Sequence, residues 1–254
     1  MSEIDELRIY RGEDYVINDK IKIHIPTLGE ICDYGEDEYF GLIHQITATP
    51  SDMMWQLDEM GIDFTQIDNF TLFSQLTCFK TDGMEEKDFQ MNKNRTNILL
   101  GDLDLFEFKL MQDITNNEPC LYNKKTDNKI DGYTYKIICD CLRKIHFLEE
   151  HIEIPANEST RIVIIEDAKE RYMMSKDKKH NSYLVNLISA MINSPGFKYN
   201  HSQVWDMKIN AFMDSVKRIS KIQNANLLLQ SGYSGFGINL KEVSDKQINW
   251  LGDL

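Results

Sequence analysis

Near its start the chain alternates apolar and polar residues in pairs. Farther on, apolar side chains return every three or four positions, which predicts a mainly helical protein with two β interruptions. The first interruption lies in residues 7–26, where Tyr15/Ile17 and Ile21/Ile23/Ile25 alternate around the polar turn Asn18-Asp19 and predict a small β element. Thr27-Leu28-Gly29-Glu30 then fits a capping box, in which hydroxyl and carboxylate satisfy orphan N–H groups at a helix start, and predicts a helix over 28–46. Thr49-Pro50-Ser51-Asp52 is a second start signal, combining a cap, a proline where its missing donor costs little, and an acid at the positive end of the dipole. It predicts a short helix over 53–60 that stops at Gly61. A third helix, over 66–79, carries Leu72, Phe73, Leu76 and Phe79 on one face.

Residues 80–97 are polar and aperiodic and read as a loop. Over 98–125 the pattern turns strand-like, with Leu103, Leu105, Phe106 and Phe108, a turn at Asn116-Asn117, and then Cys120-Leu121-Tyr122, which predicts a hairpin arm protruding from the helices. Asp131-Gly132 opens a helix in which Tyr135, Ile138, Leu142 and Ile145 recur at threes and fours, with Cys141 and Leu148 beside them. An extended piece ending at Pro155 follows, then helices over 160–174, 182–193 and 202–229, the last capped by Ser202 and faced by Trp205, Ile209, Phe212, Val216 and Ile219. The expected fold class is mainly α (α+β): helical bundle-like parts with a small N-terminal β element and a central β-hairpin region. The expected division is an acidic N-terminal part over 1–80, a loop and hairpin region over 81–130, and a helical C-terminal part over 131–254.

The 254 residues are 42% apolar and 27% charged, enough for an ordinary buried core and too apolar for wholesale disorder. Charge changes the picture more. The first eighty residues hold sixteen acids against five bases, whereas 161–221 hold eleven bases against six acids, within a net charge of −13. Such a surface repels nucleic acid and anionic membranes over most of its extent and favours solubility or a basic partner. Five cysteines without paired spacing, and no basic-then-apolar leader, predict a reducing compartment. The longest aliphatic run, 162–165, is far short of the ~20 residues that span a bilayer.

Each candidate chemistry has a plainer reading. His146 and His151 flank two glutamates, but five positions swing helical side chains about 140° apart, whereas a zinc helix needs histidines four apart. His151 reads as part of a solvated helix end. Cys120, Cys139 and Cys141 lack the ligand pairing of a structural zinc site and read as buried thiols. In Asp127-Asn128-Lys129-Ile130-Asp131-Gly132 a lysine occupies a calcium-ligand position, so this is a turn leading into a helix. Asp102 and Asp104 read as guards of an edge strand. The glycine-rich stretch 232–237 follows a helix instead of preceding one, and so reads as a stop with glycines at positive φ. No catalytic, metal-binding or cofactor-binding residue is predicted, and the chain is not expected to be an enzyme.

Two charged features read first as ordinary solvated faces and second as binding surfaces. Asp33, Glu36, Asp37 and Glu38 form an acidic patch beside Tyr34, Tyr39 and Phe40, where aromatics would supply contact area and acids would set orientation and on-rate. Lys208, Lys217, Arg218 and Lys221 crowd the last long helix and offer a nucleic-acid face, which is the weaker reading because the aromatics of that helix fall on its apolar side.

Residues 25–64 (IPTLGEICDYGEDEYFGLIHQITATPSDMMWQLDEMGIDF) and 204–254 (VWDMKINAFMDSVKRISKIQNANLLLQSGYSGFGINLKEVSDKQINWLGDL) resemble proteins encoded in the tail modules of bacteriophages that infect Gram-positive bacteria. The resemblance implies a non-enzymatic tail or baseplate-hub assembly chaperone, and transfers no catalytic residue. Its partners would be other phage tail or baseplate proteins, met in the host cytoplasm during assembly, with no cofactor and no membrane. The expected contact residues are Tyr34, Asp37, Tyr39 and Trp55. Two alternatives remain: a permanent part of the tail or baseplate, carried in the virion, and a nucleic-acid-binding protein working through the helix around Lys217.

Overall fold

In a computed structural model, which describes residues 5–78, 96–113, 115–176, 181–234 and 237–252, the chain is mainly helical with two small antiparallel sheets. The readings at Phe79 and over most of 80–97 lie outside the described residues. The segment expected to begin as β begins as a helix, α1 (Glu6–Arg11), because Asp5 accepts from the Arg8 N–H at its start and left-handed Gly12 closes it. Strands β1 (Tyr15–Val16) and β2 (Lys22–Ile23) then pair, with the Asn18 carboxamide accepting from the Lys20 and Ile21 N–H groups in the turn. Ile21, Ile23 and Ile25 are buried as the alternation requires.

The capping box forms: Thr27 Oγ1 accepts from Glu30 N at 3.1 Å, and Thr27 N donates to Glu30 Oε2 at 2.6 Å. The helix it starts is shorter than expected. Gly35, at φ +106°, breaks it into α2 (Leu28–Tyr34) and α3 (Glu36–Thr47), and a Cβ there would lie 2.3 Å from Glu38 Oε2. Thr49 and Asp52 bond reciprocally ahead of α4 (Met54–Glu59), and Asp68 accepts from the Phe70 and Thr71 N–H groups to start α5 (Asn69–Cys78).

The central region differs from the expected arm. It holds a short helix, α6 (Asn97–Leu100), and a three-stranded meander of β3 (Lys109–Gln112), β4 (Pro119–Asn123) and β5 (Asn128–Asp131), with Leu110 opposite Leu121 and Leu121 opposite Ile130. Phe108, Leu121 and Ile130 are buried in the main core, so the sheet is packed down and does not protrude. Asp104 does not guard an edge strand; it accepts from Phe106 N at 3.0 Å and starts a 3-10 turn. Asp131 ends β5 and caps α7 (Gly132–His146) by accepting from Thr134 N.

After a segment over 148–155 without helix or strand come α8 (Glu158–Lys176), α9 (Tyr183–Ile192), α10 (Ile209–Tyr233) and α11 (Asp245–Ile248). Ser202 does not cap α10. Residues 26–28 hold 207–209 extended through Leu28 N to Met207 O and Ile209 N to Pro26 O, both 2.9 Å, so the helix starts later. Gly232 lies inside α10, and neither it nor Gly237 has positive φ; their role is close packing, since Cβ atoms there would lie 2.2 Å from Leu240 and 2.1 Å from Ser231 Oγ. One core cluster takes in Ile23, Leu42, Phe73, Leu121, Ile138, Ile188 and Phe212, and so draws on all three expected segments. A smaller cluster of Met54, Leu57, Phe64, Leu72 and Ile165 seats α8 on α4.

α7 also holds α3 through one row of polar side chains. Tyr135 Oη donates to Ile46 O at 3.0 Å, Cys139 Sγ to the same carbonyl at 3.4 Å, and Arg143 to Thr47 O at 2.9 Å, closing the orphan carbonyls at the end of α3. One turn on, His146 Nδ1–H donates to Leu142 O at 2.7 Å, which leaves Nε2 to accept from Tyr39 Oη at 2.6 Å. Both bonds suit the neutral ring, and burial holds the His146 pKa down at about 4. With the folded pKa below the unfolded value near 6.5, the stabilisation is complete above that pH and lost as pH falls toward 4. Denaturant unfolding of wild type and His146→Gln across this range is expected to show the wild type losing on the order of 3 kcal/mol relative to the variant. Parallel pH profiles would remove His146 as the cause.

Candidate functional site

The four residues expected at a protein contact do not share one exposed face. Tyr39 is 0% exposed and bonded to His146, so it is a core residue and cannot offer contact area; this corrects its assignment. Its place on the buried face of α3 was readable from the spacing Tyr39, Leu42, Ile43, Ile46. Tyr34 is half-buried and packs against the main core. Trp55 belongs to the smaller cluster, where its ring lies 4.9 Å from that of Tyr172 and under the Lys169 ammonium. Asp37 is exposed and stands at the edge of a groove.

That groove, about 620 Å³, lies where α3, the end of α7, α9 and α10 meet. Glu36 and Asp37 supply acids, and Phe40, Leu148, Tyr183 and Met213 supply apolar lining. Phe40 and Tyr183 meet edge to face at 6.1 Å, and Tyr183 and Leu148 remain 52% and 45% exposed, more than a monomer's interior packing requires. His146 lines the inner end in its neutral form. Sequence reasoning missed Leu148, Tyr183 and Met213 as a group, because they come from three separate elements.

Glu36 is part of the scaffold as well as the rim. Its Oε1 accepts from Leu184 N at 2.8 Å and its Oε2 accepts from the Ser182 hydroxyl, while Ser182 Oγ accepts from Val185 N at 3.0 Å. A carboxylate from α3 therefore completes the N-terminal cap of α9, favourable for both hydrogen bonding and the helix dipole.

The other candidates resolve into structure. His146 is buried, and His151 instead pairs with Asp52 at 3.0 Å and Glu153 at 3.3 Å. Cys120, Cys139 and Cys141 are buried, and burial pushes the Cys139 and Cys141 thiols up to about 11 and about 12. Among the described residues no three His, Cys, Asp or Glu side chains are grouped as a metal site requires, and no helix is long and apolar enough to cross a membrane. The cations of α10 are turned onto protein: Arg218 donates to Trp250 O and Gly252 O, Lys221 to Gly252 O, Lys208 reaches Glu30, and the Lys217 ammonium sits 4.5 Å above the Phe147 ring.

Residues 176–254 match the family described as the YomV second domain, a family of phage origin. The matched stretch is under a third of the chain; it supplies α9 and α10 to the groove, and marks this region as phage-related. No curated protein and no solved structure matches the chain.

Glu36→Ala leaves the first turn of α9 with two fewer acceptor contacts, a loss of about 2 kcal/mol for charge-assisted bonds. Amides over 184–192 are expected to exchange hydrogen about 30-fold faster than in wild type, with those of α7 little changed. Uniform acceleration over both helices would show that Glu36 acts on global stability instead.

Proposed function

We propose that this chain is a non-enzymatic phage protein that binds other tail or baseplate polypeptides during assembly, and that the acid-rimmed groove between α3, α9 and α10 is where they dock. The observation that supports it is the juxtaposition, at the edge of a phage-related region, of exposed Tyr183 and Leu148 with Asp37. Apolar lining supplies contact energy, and carboxylates beside it select a basic partner and speed its approach. Tail polypeptides associate through apolar patches and strand edges, and an acidic binder can mask these until the proper neighbour arrives. The host cytoplasm during assembly is the setting this reading requires.

The test uses Asp37→Lys combined with Tyr183→Ala, since Tyr39, being core, would report on folding. Co-expressed with the tail and baseplate proteins of its phage, the double variant is expected to retain at least about tenfold less of the bound partner, the loss of one aromatic anchor and one steering charge. Equal recovery with wild type discards the groove. Mass spectrometry of purified virions decides between an assembly factor, absent or in traces, and a permanent tail or baseplate component, present in fixed ratio.

A further inference from the structure

The segment between α7 and α8 belongs to no helix or sheet, and its backbone is held from one side. Thr49 Oγ1 donates to His151 O at 2.7 Å, and Glu153 N donates to Ser51 Oγ at 3.0 Å, so residues 151 and 153 face the turn ahead of α4. Thr49 and Ser51 are themselves 2% and 7% exposed, so the supports are fixed. Pro155 keeps Ile154 extended. That His151 O and Glu153 N turn to the same support is the alternation of an extended chain, which puts the N–H and C=O of Ile152 and Ile154 on the other side, and neither N–H has an acceptor among the described residues. The side chains are as open as the backbone: Ile152 is 63% exposed and Ile154 85%.

This segment walls a cleft of about 480 Å³ whose charged residues are Asp63, Glu150, Glu153 and Glu158 against Arg161 and His151. The cations are already engaged: Arg161 pairs with Glu158, Asp58 and Asp63, His151 with Asp52 and Glu153, and Arg143, from outside the cleft, with Glu150, so six carboxylates face two arginines and one histidine. The surroundings thus carry surplus negative charge, which opposes a second copy of this acidic edge and favours lysine or arginine on an incoming strand.

We propose that residues 150–155 are a strand-addition edge, on which an extended, basic segment of another polypeptide docks through main-chain hydrogen bonds to Ile152 and Ile154. The backbone bonds supply affinity, the two isoleucines pack against alternate apolar side chains of the incoming strand, and the carboxylates select its charge. This surface is separate from the groove and recognises a different conformation of partner.

The probe is an end-blocked heptapeptide alternating lysine and valine, titrated into the isotope-labelled full chain and followed by NMR. Saturable shifts at the Ile152 and Ile154 amides are expected, and a glutamate–valine counterpart is expected not to produce them. Ile152→Pro and Ile154→Pro each remove an outward N–H group together with the isoleucine side chain beside it, leave the bonds at 151 and 153 intact, and are expected to weaken binding at least about tenfold each while thermal unfolding stays close to wild type; Ile152→Ala and Ile154→Ala, which keep the N–H, are expected to weaken it less. Should either variant unfold, the same question is put to wild type with a peptide N-methylated at its valines, which is expected to bind at least about tenfold more weakly. Equal binding by the proline variants or the methylated peptide, equal binding of the glutamate peptide, or no shift at any attainable concentration overturns the proposal. So does self-association of the chain that the proline substitutions abolish, because the occupant would then be a second copy. The Asp37→Lys/Tyr183→Ala variant is expected to bind the peptide like wild type, so failure here and failure of the groove are told apart.

Discussion

The structure depends on one row of α7. A helix that ends inside a protein strands its last carbonyls, and leaving them unpaired costs about as much as a lost hydrogen bond for each. α3 ends among buried residues Ile43, Ile46 and Thr47, and its final carbonyls are met by Tyr135, Cys139 and Arg143, spaced four apart on α7. The same row continues to His146, which fixes the first turn of α3 through Tyr39. Arg143 can afford its burial because Thr47 O and Glu150 share its guanidinium. α3 therefore has one permitted rotation relative to α7, with Tyr39 inward and Asp37 outward.

That rotation positions the connection to the phage-related region. With α3 fixed, Glu36 completes the cap of α9, and the residues just ahead of α2 pair with those just ahead of α10. Leu184, Ile188, Ile209 and Phe212 then enter the same core as Leu42 and Ile138, so the matched region is no appendage. A groove formed at such a seam has walls from both sides, and anything bound there is gripped by parts of the chain far apart in sequence.

What could be read from sequence was local. The capping box at Thr27, the turn at Asn18 and the periodic face of α7 rest on interactions a few residues long, and they form as expected. Where two local signals competed, the reading failed. Leu7 to Arg11 can alternate or coil, and it coils because Asp5 and Gly12 bracket it. Gly35 broke a helix whose apolar spacing ran straight through it. Tyr39 was misassigned because adjacency to acids was weighed above its three-and-four spacing with Leu42, Ile43 and Ile46. Glu36 capping a helix about 150 positions away has no local signature, nor does the meeting of Phe40, Leu148, Tyr183 and Met213 in one groove.

The charge polarity of the sequence also takes a different form in three dimensions. The cations around α10 are tied to their own molecule: Arg218 and Lys221 donate to carbonyls, Lys208 reaches a carboxylate and Lys217 lies over an aromatic ring, which fixes where their charge sits. They do not line either candidate surface, where carboxylates outnumber cations. A field of this kind reaches about 8–10 Å at physiological salt, so it governs approach and orientation more than final affinity. Affinity must come from short-range contacts: rings and aliphatic chains in the groove, main-chain hydrogen bonds along 150–155. Salt should therefore slow association at both surfaces, while the identity of what stays bound is decided by shape at one and by backbone geometry at the other.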